Sequence, residues 1–160
     1  SYAKPLENKL RPINLDLLVQ NILEKWEEKL DHSNIKTVYQ CEKDLPMIAG
    51  DIRSLEQVFT NLINNAIEAM KAQEKGTLAI KIEKLDQNNV TVNVSDTGPG
   101  IPDEILKKIF TPFVSFSLKG TGLGLAIIKE IIDAHKGKIS VESFPGGTVF
   151  NIILPFAKGE

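Results

Sequence analysis

The chain has 160 residues, a hydrophobic content of 42% and a net charge of -2: material for one ordinary domain with one sizeable core. That charge balance excludes a strong electrostatic pull toward nucleic acid, and no basic cluster with interleaved aromatics is present. A single cysteine, Cys41, excludes an internal disulfide and a cysteine zinc site, and no apolar run reaches membrane-spanning length. Cys41 as a packed residue fits a cytoplasmic setting; no signal peptide opens this fragment, and a longer parent protein can still be membrane-anchored.

Residues 1–12 read as a remnant. Tyr2-Ala3-Lys4-Pro5-Leu6 has the form of a helix end stopped at a proline, followed by a charged linker over 7–11; a disordered terminus fits the same residues. Asn14 or Asp16 can cap a helix running to about Leu30, with Leu17, Leu18, Ile22, Leu23, Trp26 and Leu30 on one face. A strand over 35–41 follows, with Cys41 as a packed residue, then an extended segment over 46–50. Asp51 caps a long helix over 52–73. Its apolar side is Ile52, Leu55, Val58, Phe59 and Leu62, continued by Ile63, Ala66, Ile67 and Met70. Gly76 closes the connection to two strands, 77–84 and 90–94, around a turn at 86–89. A tight loop at 96–102 leads into a short helix over 103–110, and 111–120 has no clear period and reads as a flexible loop. The next helix runs from Leu125 to His135 and stops at Gly137, a residue suited to a left-handed cap. Strands over 138–143 and 148–154 end the chain, joined by 144–147. Hairpin-linked strands beside segregated helices predict an α/β (α+β) two-layer sandwich. A mixed, mostly antiparallel sheet of about five strands is covered on one face by about three helices. No internal repeat or second core is visible.

The chemistry sits in a few places. Gly120, Gly122 and Gly124 alternate with Thr121 and Leu123 and run straight into the helix at Leu125. Alternate glycines uncover backbone N–H groups, and a helix start adds free donors and a positive dipole end. Together they make a seat for an anion such as phosphate; a plain glycine turn opening a helix shows the same pattern. The run is not a P-loop, and it lacks the spacing and the preceding strand of a dinucleotide fold. Asn61 and Asn65 lie one turn apart on the long helix, on the face shared by Gln57 and Glu68. Asparagine inside a helix costs roughly 0.6 kcal/mol against alanine, and a merely solvated flank would use Lys and Glu more cheaply. Amide oxygens are hard neutral ligands suited to Mg²⁺; a polar helix flank shows the same pattern.

Asp96 ends a buried strand, where a carboxylate either starts a turn or accepts a hydrogen bond from a ligand such as an adenine amino group. Gly98 and Gly100 permit close backbone approach to a flat base. Phe110 and Phe113, around Pro112, read as hinge packing beside a lid. Lys119 can reach phosphate as a point charge or be an ordinary solvated lysine. Gly146-Gly147-Thr148 opens the last strand, where Thr148 can supply a hydroxyl or simply close a hairpin.

Four stretches come in one order: Asn61-Leu62-Ile63-Asn64-Asn65-Ala66, Asp96-Thr97-Gly98-Pro99-Gly100, Ile109-Phe110-Thr111-Pro112-Phe113 and Gly120-Thr121-Gly122-Leu123-Gly124-Leu125. They resemble the N, first-glycine, F and second-glycine boxes of the catalytic ATP-binding domain of bacterial sensor histidine kinases, over roughly Asn14 to Phe156. The resemblance implies the Bergerat ATP fold. It implies that Asn65 holds Mg²⁺ and that Asn61 supports metal and phosphates. Asp96 would bind the adenine amino group in a pocket shaped by Gly98 and Gly100, with Ile101, Phe110 and Thr148 in the ATP-binding set. A lid over 111–119 would precede Gly120, Thr121, Gly122, Leu123, Gly124 and Leu125 at the phosphates. The first residues resemble the end of the second helix of a dimerisation and phosphoacceptor domain. The resemblance thus divides the chain into a remnant and linker (1–12), a catalytic domain (13–157) and a tail (158–160). The fragment is expected to be monomeric and its parent a homodimer that meets a response regulator.

The chain departs from the pattern in three places. There is no phosphoacceptor box: neither His32, in Asp31-His32-Ser33-Asn34, nor His135, at a helix end, has an acceptor's surroundings. The lid carries Val114-Ser115-Phe116-Ser117-Leu118 where relatives of the nitrogen-sensor and sporulation-kinase kind have Thr-Thr-Lys, leaving Lys119 as the candidate contact for the γ-phosphate. Lys136 follows His135 where a glycine is usual. Related ATPases of the fold (DNA gyrase, the large heat-shock chaperone, the mismatch-repair ATPase) place a glutamate one turn before the metal asparagine to activate water; Asn61 stands there and cannot act as a base at neutral pH. The leading expectation is transfer of the γ-phosphoryl group to a histidine on a separate helical domain, with Asn61 and Lys119 as catalytic residues. A nucleotide-binding pseudo-kinase and an anti-sigma-type serine kinase of the same fold are the alternatives.

Overall fold

The computed structural model describes residues 9–112 and 124–158. Asn14 is the cap of α1 (Leu15–His32): its side chain accepts a hydrogen bond from the Leu17 backbone at 3.0 Å. Asp16 instead ties α1 to β2 (Ile35–Cys41), accepting from the Tyr39 hydroxyl at 2.5 Å. The helix buries Leu15, Leu18, Val19, Ile22 and Leu30, while Leu17 is 56% exposed. The expected stripe is therefore rotated, with Val19 inside and Leu17 at its rim. Asn34, with a φ of 57°, provides the left-handed residue that turns the chain into β2.

A short strand, β1 (Arg11–Ile13), spans the expected boundary between linker and catalytic domain and pairs antiparallel with β3 (Ile48–Gly50). α2 (Ile52–Ala69) starts at the Asp51 cap, as expected, and ends four residues earlier than the periodicity suggested. Met70 is its C-cap, with its N–H still bonded to the Ala66 carbonyl and its sulfur beside Gly76 and Thr97. Along α2 the residues from Leu55 to Met70 expected in the core are buried, and Ile52 is 53% exposed in the first turn.

The main sheet has the order β2-β4-β5-β7-β6, with β4 (Gly76–Lys84), β5 (Asn89–Asp96), β6 (Lys138–Phe144) and β7 (Gly147–Pro155). β2 and β4 are parallel, joined by the α2 crossover, and the other pairs are antiparallel. Helices α1, α2 and α4 (Gly124–Ala134) pack against β2, β5 and β6, all on one face. The register stacks apolar rows beneath them: Ile80, Val94, Phe150 and Val141 form one, and Ile82, Val92, Ile152 and Ile139 the next. This is the two-layer sandwich expected, with the core between sheet and helices.

The short helix α3 is α-helical only over Asp103–Leu106; tighter i→i+3 turns carry the chain to Thr111. At the far end of α4 the left-handed residue is Lys136, with a φ of 61°, rather than Gly137. Gly137 is needed for a different reason: a Cβ there would meet the Ile153 carbonyl at 2.4 Å.

Candidate functional site

The apolar rows give way to a polar one at one end of the sheet. The next row in register is Leu78, Asp96, Thr148 and Ser143. Asp96 follows Val90, Val92 and Val94 on the helix-facing side of β5, so the pleat turns its carboxylate toward the core rather than to water. Burial pushes its pKa above the usual carboxylate value, and the Gly98 N–H, donating at 2.8 Å, only partly offsets this. No cation stands beside it among the described residues.

The loop after Asp96 lies against the end of α2. A Cβ on Gly98 would meet the Ala69 Cβ at 3.1 Å and the Ala69 carbonyl at 3.2 Å. Asn65 is one turn back from Ala69, and Asn61 one turn further, so both lie on the face of α2 whose Ala69 meets the loop after Asp96. Neither amide has a hydrogen-bond partner among the described residues, and no buried polar side-chain atom there is left unsatisfied. The two amides are therefore open to solvent.

Gly100, with a φ of 88°, takes a conformation that side chains rarely adopt. Its open side is filled by protein, with the Phe144 carbonyl 2.4 Å from where a Cβ would sit. Ser143, which the sequence reading did not single out, fastens this loop: its hydroxyl accepts from the Ile101 N–H at 2.6 Å and lies 3.1 Å from the Thr148 hydroxyl. The only sign of it in the sequence is a serine three positions before a paired glycine, which the two-residue turn places opposite Thr148. Ile101 and Thr148 are buried beneath this clasp, and Phe110 packs edge-on against Phe150, with ring centres 6.5 Å apart.

Of the glycine run, Gly124 is the first residue of α4, with nothing within 4 Å of its open side, and Leu125 is buried. Phe113, Lys119, Gly120, Thr121, Gly122 and Leu123 lie outside the described residues. His135 is 1% exposed and fully engaged by backbone groups, in keeping with its exclusion as a phosphoacceptor.

Comparison with known proteins decides the family. A model of the histidine kinase-, DNA gyrase B- and HSP90-like ATPases matches residues 50–158. The chain belongs to that family. It is 42% identical to sporulation kinase A of Bacillus subtilis over 155 residues, 96% of this chain and 25% of that protein. It is 45% identical to the sensory histidine kinase/phosphatase NtrB of Rhodobacter capsulatus over 135 residues, 77% of this chain and 38% of that one. The chain thus corresponds to a part of each relative. The nucleotide-free catalytic domain of histidine kinase ThkA superposes with a TM-score of 0.82 at 37% identity, over 91% of this chain and 95% of that domain. Within the family, the chain is an ATP-binding catalytic domain of the sensor histidine kinase type.

Proposed function

We propose that the chain binds Mg-ATP between α2, the loop after Asp96 and the start of α4, and delivers the γ-phosphoryl group to a histidine on a separate helical domain. The observation that carries this reading is the contrast in one small region. Asp96 is half-buried with no cation beside it among the described residues, and the face of α2 that meets its loop carries two amides with no partner among those residues. A carboxylate held in a half-buried place without a cation is costly, and solvent-open amides on the adjoining helix face are free to take a ligand.

The roles follow from chemistry. An ionised Asp96 accepts a hydrogen bond from the adenine amino group. Among the described residues no cluster of three or more His, Cys, Asp or Glu side chains stands together, so a cation here would be held by amide oxygens and by the phosphates it accompanies. Asn65 and Asn61 fit that task. Mg²⁺, when bound, neutralises charge on the phosphates. Asn61, an amide, takes no proton from water at neutral pH, which favours transfer over hydrolysis. The β–γ bridging oxygen leaves with ADP as the acceptor histidine's ring nitrogen takes the phosphoryl group. Lys119 and the glycines from Gly120 to Gly124 are assigned to the phosphates on the sequence pattern.

Two solved relatives support the reading: full-length ShkA was solved with AMPPNP, and ThkA in complex with the response regulator TrrA. We place the parent in the cytoplasm, anchored or not, as a homodimer whose helical domain precedes β1 and which passes its phosphoryl group to a response regulator. No described helix is long and apolar enough to cross a membrane.

The test mixes this chain with labelled ATP, Mg²⁺ and the parent's helical domain. Acid-labile label on the helical domain is expected. ATP binding without transfer would favour the pseudo-kinase, and acid-stable label on another protein the serine kinase.

A further inference from the structure

We infer that His135 is a positioning residue for the nucleotide site: it clasps the end of α4 to the cap residue of α2 and thereby sets where α4 begins relative to Asn61 and Asn65. The inference rests on the ATP reading above. The His135 Nδ1–H donates to the Ile131 carbonyl at 2.9 Å, and Nε2 accepts from the Asp51 backbone N–H at 3.0 Å. Only the neutral ring with its proton on Nδ1 makes both bonds.

The position of the clasp gives it leverage. The C-terminal end of α4 meets the N-terminal end of α2, so the two packed helices run antiparallel from a shared point. The 11 residues of α4 rise about 16 Å. The same count along α2 from Asp51 ends at Leu62, between Asn61 and Asn65. The two helices pack together and share the apolar core that holds Ile128 and Ile132. Apolar burial is non-directional, and a hydrogen bond at one end adds a directional constraint to the packing. Among the described residues the His135–Asp51 bond is the one polar link between the two helices, and it fixes their register.

Burial lowers the pKa of His135 below its ordinary value, and the bond to Ile131 and the charge of Asp51 only partly restore it. Asp51 is the charged group that acts on the ring among the described residues, and Lys9, ahead of β1, acts on Asp51. A protonated ring has no acceptor for the Asp51 N–H, so acid opens the clasp.

The test uses the 160-residue chain and measures the ATP dissociation constant by calorimetry, with the Asp51 amide followed by NMR. His135→Gln keeps an acceptor near the Nε2 position without titrating, while His135→Asn is too short to reach Asp51. His135→Asn is expected to stay folded and bind ATP about tenfold more weakly, with His135→Gln within about twofold of wild type. Wild-type affinity is expected to fall below pH 6.5 more than that of His135→Gln, as the Asp51 amide signal moves in wild type alone. A folded His135→Asn with wild-type affinity overturns the inference, as does His135→Gln binding as weakly as His135→Asn. If His135→Asn does not fold, superposable pH profiles for wild type and His135→Gln overturn it. A wild-type chain that binds no ATP overturns the nucleotide reading itself, a different outcome from all of these.

Discussion

The two ends of α2 treat polar groups in opposite ways. At the N-terminal end the cap residue is engaged on both its side chain and its backbone N–H. The Asp51 carboxylate accepts from the Ser54 N–H at 3.0 Å and the Ser54 hydroxyl at 2.6 Å, and the Asp51 N–H goes to His135. Toward the C-terminal end, the Asn61 and Asn65 amides have no partner among the described residues, and the nearby Asp96 carboxylate has one backbone donor. One helix therefore serves the fold at its start and is held ready for a ligand further along. Natural chains break local rules at functional sites and compensate elsewhere. The difference can be attacked from either end.

The largest effect is expected at the ligand end. Asn65→Ala should weaken Mg-dependent ATP binding by about 100-fold, near 3 kcal/mol, while raising stability by roughly 0.6 kcal/mol, since alanine is the better helix former. Calorimetry and thermal unfolding read the two together. A loss of stability without a loss of affinity would make Asn65 a folding residue.

Asp96→Asn is expected to reduce ATP affinity by about tenfold or more and to raise the melting temperature at neutral pH. The sign follows from burial: a carboxyl with a raised folded pKa costs stability once it ionises. The advantage of the variant should therefore grow as pH rises from about 4 through the folded pKa. A gain independent of pH would contradict the burial account.

Ser143→Ala leaves the Ile101 N–H without its partner, at a cost of about 1–3 kcal/mol, visible as a lower denaturation midpoint. At the folded end of α2, His135 has the opposite pH sense to Asp96. Its folded pKa lies below the ordinary 6.5, so its contribution is whole above that pH and declines as pH falls below it. His135→Gln should flatten that decline in urea titrations between pH 7 and 5. The smallest change is Lys136→Gly, which relieves the left-handed φ of 61° and should stabilise the chain by about 1 kcal/mol, leaving ATP affinity untouched.

Much of this was legible in the sequence, for identifiable reasons. The apolar period of α2 and the alternation of β4 and β5 gave the layers. The asparagine pair stood out because the residue type is costly at that place in a helix. Periodicity does not separate the centre of a stripe from its rim, so Leu17 and Ile52 were expected inside and lie outside. β1, three residues with a proline in the middle, shows no alternation; pairing with β3 makes it a strand. The bonds of Ser143 and His135 are not legible in the sequence because their partners are remote: Ile101 lies 42 residues from Ser143, and Asp51 lies 84 from His135.

The most direct measurement is an ATP titration of the wild-type chain with and without Mg²⁺, repeated with Asn65→Ala. The account predicts saturable binding that Mg²⁺ strengthens in wild type and no longer strengthens in the variant. Equal Mg²⁺ dependence in both chains would contradict it.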